Sequence, residues 1–199
     1  MSLPDDMPTA RRPFDWVRMG EQAESLKADC APLARRLVER GTALGLTVAT
    51  AESLTAGLVA ATIADVPGAS AVLRGGVVSY AVDVKESVLG VDAARLAQFG
   101  PVDPVVAEQM ALGAARVCGA DLAVSTTGVA GPEPHGGRAV GTVYLGWSVM
   151  GSAAAGAPGG APAVGHRRGQ YDGDRDAVRW NAVRHALLAL LERLEDLAP

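Results

Sequence analysis

Short apolar runs alternate with helix-patterned segments along most of this chain, and that alternation limits the folds open to it. Leu46 to Ala51 reads as a short buried strand, Leu73 to Tyr80 as a second strand and Leu122 to Thr126 as an apolar strand. Between them, Leu54 to Ala64, Asp83 to Leu89 and Asp92 to Gln98 have helical composition. Asp103-Pro104 followed by VVAEQMALGAARVCG is a well-signalled helix, with aspartate as cap, proline in the first turn and Gly119 at the end. Val140 to Met150 and Pro162 to Arg168 then form a hairpin across the low-complexity Gly/Ala/Pro segment GSAAAGAPGGA. Asp176 to Leu197 closes the chain as a helix with Val183, Leu187, Leu190 and Leu194 on one face. Strand–helix alternation followed by a hairpin predicts an α/β fold with a mixed sheet covered by helices.

The N-terminal part is less regular. Residues 1 to about 20 carry three prolines and mixed charge, and read as a flexible tail. From Glu21 to Arg40 an amphipathic helix is expected, kinked or restarted at Pro32 and capped by Gly41. Residues 21–199 then make a single domain, the default for 199 residues with 49% hydrophobic content.

Composition excludes several classes. A net charge of −4 with 4% aromatics gives no drive toward nucleic acid. No apolar run reaches membrane-spanning length, and the first residues lack the features of a signal peptide. Cys30 and Cys118 are far apart and without metal spacing, so neither a metal site nor a disulfide framework is expected, and the compartment is read as cytoplasmic.

Chemistry concentrates between Thr47 and Val91, where Ser53, Ser70, Tyr80 and Lys85 lie among small and apolar residues. Serine needs a partner to take its proton. His135, His166 and His185 all lie far downstream, which leaves Lys85 as the leading base. A lysine base must be neutral, and moving its pKa from ~10.4 to ~7.5 costs about 4 kcal/mol, which burial in an apolar setting supplies. Contact with Asp83 or Glu86 would keep it charged. Composition alone favours a plainer reading: Lys85 on a helix surface, Tyr80 at a strand end, Ser53 as a helix cap and Ser70 in the PGAS turn. A short-chain dehydrogenase reading fails, because Tyr80 and Lys85 are five apart rather than four and no dinucleotide-binding glycine motif opens the chain.

Two further constellations bear on ligands. The glycine-rich turn from Thr127 through GVAGPEPHGG follows a strand and presents backbone N–H groups to a phosphate or an oxyanion. Arg175, in DGDRD at the start of the last helix, reads either as a phosphate ligand or as part of a capping arrangement with an intrahelical ion pair.

Taken in order, AESLTAG (51–57), DVPGAS (65–70), GGVVSYAVDVK (75–85), LGV (89–91), TGVAGP (127–132), AVGTVYLG (139–146) and GDRDAVR (173–179) resemble the C-terminal domain family of the competence/damage-inducible protein CinA. Its stand-alone members include nicotinamide-mononucleotide amidohydrolases. The resemblance covers roughly Leu33 to Leu194. It implies a three-layer α/β/α sandwich and a homo-oligomer, dimer or trimer. It also implies hydrolysis of the carboxamide of nicotinamide mononucleotide to the acid and ammonia, with no cofactor and no metal.

Carried over by position, it implies Lys85 as base and Tyr80 as the hydrogen-bonding partner of that amine. Ser70 is the first choice of nucleophile, with Ser53 as the alternative. Thr55, Thr127, Gly128 and Gly131 are implied to contact substrate and Arg175 its phosphate. The family's AES-x-TGG has a glycine where this chain has Ala56, and its SYSN has Ser-Asn where this chain has Ala81-Val82. These departures open an alternative expectation, a nucleotide-binding or regulatory member with weakened or lost turnover.

Overall fold

The computed structural model describes residues 16–151 and 160–198. Residues 1–15 of the expected tail and 152–159 of the Gly/Ala/Pro segment lie outside the described residues. Five strands form one sheet: β1 (Val48–Glu52), β2 (Leu73–Val78), β3 (Leu122–Gly128), β4 (Thr142–Val149) and β5 (Ala163–Gln170). Their spatial order is β2-β1-β3-β4-β5. β2, β1 and β3 run parallel, while β4 pairs antiparallel with both β3 and β5. The expected mixed sheet is what forms.

Period-two alternation assigns each strand residue to a layer. Val48 of β1 and Leu122 and Val124 of β3 face one side, in a core with α1 (Trp16–Leu44), α2 (Leu58–Ala64) and α6 (Arg175–Asp196). Ala49, Ala51 and Ala123 face the other side, against α4 (Ala93–Phe99) and α5 (Pro104–Cys118). That second side is built from small residues so that α5 lies close to the sheet. A Cβ on Gly146 would collide with the Ala107 carbonyl of α5, and the Ser125 hydroxyl donates to that same oxygen at 2.6 Å. The α5 helix begins as expected: the Asp103 side chain accepts from Val105 and Val106, and Gly119 ends it at φ 62°.

The first helix departs from expectation. Trp16 to Gly20, assigned above to the tail, belong to α1, which runs through Pro32 without ending there. Gly41 is not its cap. The helix stops at Leu44, where Gly45 takes φ 65°, Gly45 N–H donates to Thr42 O, and Leu46 N–H donates to Gly41 O at 2.9 Å. That is the paired-bond C-terminal motif of helices. Gly41 serves packing instead, since a Cβ there would sit 2.7 Å from a Val72 methyl.

Because β1, β2 and β3 are parallel, their carboxyl ends open on one edge of the sheet, where ligand crevices form in α/β folds. Glu52 stands opposite Val78 of β2 and Thr126 of β3. The Glu52 carboxylate is 1% exposed and accepts N–H groups from Gly57, Val59 and Ala60 at the start of α2, with a fourth bond from the Thr50 hydroxyl. The turn from residue 53 to 57 is thereby pinned, and it carries Ala56 at φ 51°, a left-handed conformation that a Cβ disfavours. Replacing Ala56 by Gly is expected to raise stability by about 0.5–1 kcal/mol, the released strain exceeding the added freedom of the unfolded chain. Urea unfolding checks it, and a lowered midpoint would show that the methyl contributes more than it strains.

Candidate active site

Lys85 lies on α3 (Val82–Ser87), just beyond the end of β2, and is 1% exposed. Its amine donates to three oxygens: Ser53 Oγ at 3.1 Å, the Ser79 carbonyl in a very short bond, and the Tyr80 carbonyl at 3.4 Å. All three are uncharged. Asp83 and Glu86 are exposed, and no carboxylate pairs with this amine among the described residues. Burial therefore acts unopposed and lowers the Lys85 pKa to about 8. The surface-helix reading of this lysine is overturned.

The arrangement directs the proton. Carbonyl oxygens only accept, so a neutral amine keeps its two N–H groups on Ser79 O and Tyr80 O. Its lone pair is then left for the third partner, the Ser53 hydroxyl, the one group of the three that is able to donate. Ser53 is itself fixed by its N–H bond to Thr126 O at 2.9 Å. Arg179 of α6 holds the next two carbonyls, with Nε donating to Leu54 O at 3.0 Å and Nη2 to Thr55 O at 3.2 Å.

Ser53 and Lys85 open into a cavity of about 370 Å³, walled by Leu54, Val82, Val102, Val129 and the Gly131–His135 turn. Thr127, Gly128, Gly131, Tyr80 and Arg175 also line it. Ser70 does not. It is exposed in the turn before β2, away from the cavity lining, and the structure brings Ser53 to the amine instead. Thr55 is also outside the lining, fully buried with its hydroxyl 2.7 Å from that of Thr126, where it braces the Ser53 turn.

The Thr127 hydroxyl donates to Pro101 O at 2.7 Å. That bond ties it to the Pro101–Val102 wall, which a two-bond ion pair between Arg95 and Asp103, both contacts 2.8 Å, holds in place. Burial pushes the Asp103 carboxyl up, but the Arg95 guanidinium and the N–H groups of Val106 and Val105 outweigh it and hold the group below its ordinary value.

The Tyr80 phenol does not reach Lys85. It is 57% exposed and accepts from Arg175 Nη2 at 3.0 Å, while Arg175 Nη1 donates to Gly131 O at 2.8 Å. The capping reading of this segment falls to Asp174, whose carboxylate accepts from Ala177 N–H, and the intrahelical ion pair is Asp176–Arg179. Of the departures noted above, Ala56 and Ala81 are not in the cavity lining, whereas Val82 is. Glu52 and Arg179 were not singled out from sequence. Glu52 and Arg179 nonetheless stand inside AESLTAG and GDRDAVR, and Arg179 is one helical turn beyond Arg175 on the same face.

A lysine whose folded pKa is lowered opposes folding while the amine must be charged, and that penalty is relieved as pH rises from about 8 toward the unfolded value. Stability is therefore expected to gain a rising component over that range, and Lys85→Met to lose it. Chemical denaturation at pH 7, 8, 9 and 10 measures this. Parallel pH profiles for the two proteins would refute the burial account.

Comparison with known proteins agrees with this architecture. The family model of the CinA C-terminal domain matches residues 30–194. A competence-damage inducible protein of Desulforamulus reducens is 45% identical over 143 residues, covering 72% of this chain and 32% of that protein. One of Geobacillus kaustophilus is 40% identical over 162 residues, covering 81% and 37%. The chain thus spans about a third of the length of these curated relatives. The crystal structure of a competence/damage inducible protein of Agrobacterium tumefaciens superposes with a TM-score of 0.75 at 37% identity, covering 84% of this chain and 96% of that one. A CinA superfamily protein of Klebsiella pneumoniae superposes with a TM-score of 0.75 at 32% identity, covering 83% and 98%. With its sequence and its fold in agreement, this chain belongs to the CinA C-terminal domain family.

Proposed function

We propose that this protein is an amide hydrolase that converts the carboxamide of nicotinamide mononucleotide to the carboxylate, releasing ammonia. The observation that carries the reading is the buried amine of Lys85, bonded only to neutral oxygens and 3.1 Å from the Ser53 hydroxyl. In its neutral form Lys85 takes the Ser53 proton as Oγ attacks the carboxamide carbon. The proton then passes to the departing nitrogen, leaving ammonia and an acyl ester on Ser53. Water, deprotonated by the same amine, cleaves that ester to the acid and restores the serine. Ser53 replaces Ser70 as the nucleophile in this proposal.

The far side of the cavity supports a substrate with an anionic end. Arg175 lies at the mouth with uncharged acceptors on both terminal nitrogens, so its charge is available to a phosphate. Leu54, Val82, Val102 and Val129 offer an apolar passage for a flat ring between the two ends. Val82 also favours the second reading, a family member that binds the nucleotide without turning it over, since a polar pair in the family motif is apolar here. A mononucleotide that raises the melting temperature with no ammonia release would select that reading.

The hydrolase reading predicts ammonia release from nicotinamide mononucleotide by the purified protein. The rate should rise with pH through about 8 as Lys85 sheds its proton. Ser53→Ala and Lys85→Ala should each lower kcat about a thousandfold or more, as removal of a nucleophile or its base does elsewhere. Ser70→Ala should change it by less than about twofold. A coupled ammonia assay decides it, and undiminished turnover in Lys85→Ala would remove the lysine from the mechanism.

A further inference from the structure

We propose that Tyr80 is a positioning residue for Arg175, holding its guanidinium as a preformed clamp for the substrate's anion, rather than a proton donor or acceptor at Lys85. The inference rests on the nucleotide reading of the cavity and deepens it. Tyr80 touches Lys85 only through its backbone carbonyl at 3.4 Å, a contact that any residue at this position would make. Its hydroxyl is committed elsewhere, accepting from Arg175 Nη2 at 3.0 Å.

Arg175 needs such a holder. Its side chain is exposed, and the two aspartates beside it are engaged away from it: Asp174 caps Ala177, and Asp176 pairs with Arg179 at 3.2 Å. No carboxylate pairs with Arg175 among the described residues. Its two partners, the Tyr80 phenol and the Gly131 carbonyl, are both neutral. Such acceptors fix the direction of a guanidinium without cancelling its charge, and they leave three of its five N–H groups for an incoming ligand.

The consequence is an ordered cation at the mouth whose flexible side chain has already lost its freedom before the anion arrives, which strengthens binding. The same two bonds tie three segments distant in sequence, the β2–α3 turn, the 131 turn and the start of α6, around one opening. Tyr80 thereby acts on affinity for the anionic end of the substrate, while Ser53 and Lys85 act on the carbonyl end.

Tyr80→Phe removes only the hydroxyl and tests this. Calorimetry with nicotinic acid mononucleotide and with the unphosphorylated riboside is compared for wild type, Tyr80→Phe, Arg175→Ala and the double variant. We expect Tyr80→Phe to weaken mononucleotide binding about fivefold to tenfold, the worth of one net hydrogen bond. Riboside binding should be unmoved, and the substitution should do nothing more in the Arg175→Ala background. In turnover, KM should rise while kcat and the pH at which activity rises stay as in wild type. A fall in kcat or a displaced pH profile would return Tyr80 to the proton transfer and overturn the proposal. Equal mononucleotide affinity with and without the hydroxyl overturns it as well, as does a wild type that does not distinguish mononucleotide from riboside. Absence of ammonia release by the wild type sinks the hydrolase reading alone, because the binding measurements stand apart from turnover.

Discussion

The site depends on one electrostatic arrangement: an ammonium group taken out of water and given only neutral oxygens for company. Burying a charge without a counter-ion is costly, and the usual remedy is a carboxylate close by. Here that remedy is withheld. Asp83 and Glu86, the acids nearest in sequence, face solvent, and the penalty appears as a pKa of about 8. Three segments must meet for this to happen: the turn after β2 supplies two carbonyls, the turn after β1 supplies a hydroxyl, and α3 supplies the lysine. The parallel pairing of β1 with β2 brings the first two together, so the register of two strands sets the chemistry of one nitrogen.

A second buried charge keeps that geometry in place. Glu52 follows the opposite strategy from Lys85, since four donors saturate its carboxylate at the start of α2. Three of them are backbone N–H groups that a helix start otherwise leaves unpaired. The strand–turn–helix unit carrying Ser53 is thus pinned by its preceding residue, while Arg179 grips the two carbonyls that follow. Neither group lines the cavity, yet between them they leave the serine little room to wander.

Much of this fold was legible in the chain because local signals agreed with the tertiary outcome. Asp103-Pro104 and Gly119 bounded α5, and the alternation of apolar runs with helical segments gave the mixed sheet. The first helix was misread where local signals compete. Gly41 looks like a stop, but its missing Cβ is needed for contact with Val72, and Gly45 four residues on makes the left-handed turn. The choice between Ser53 and Ser70 was not legible, because both follow small-residue motifs and only the strand register decides which one meets the amine. For the same reason the phenol of Tyr80 was assigned to the wrong cation. Sequence distance placed it near Lys85, five residues away, whereas its true partner is Arg175, 95 residues downstream.

That long separation has a consequence for biogenesis. Arg175 and Arg179 sit on the first turns of α6, the last element of the fold, while the groups they secure lie at residues 54, 55, 80 and 131. During synthesis, β1, β2, β3 and the Ser53 turn emerge from the ribosome well before either arginine does. The Ser53 turn and the cavity mouth therefore stay unbraced until the start of α6 has been translated and docked, and the cavity takes its full shape only at that point.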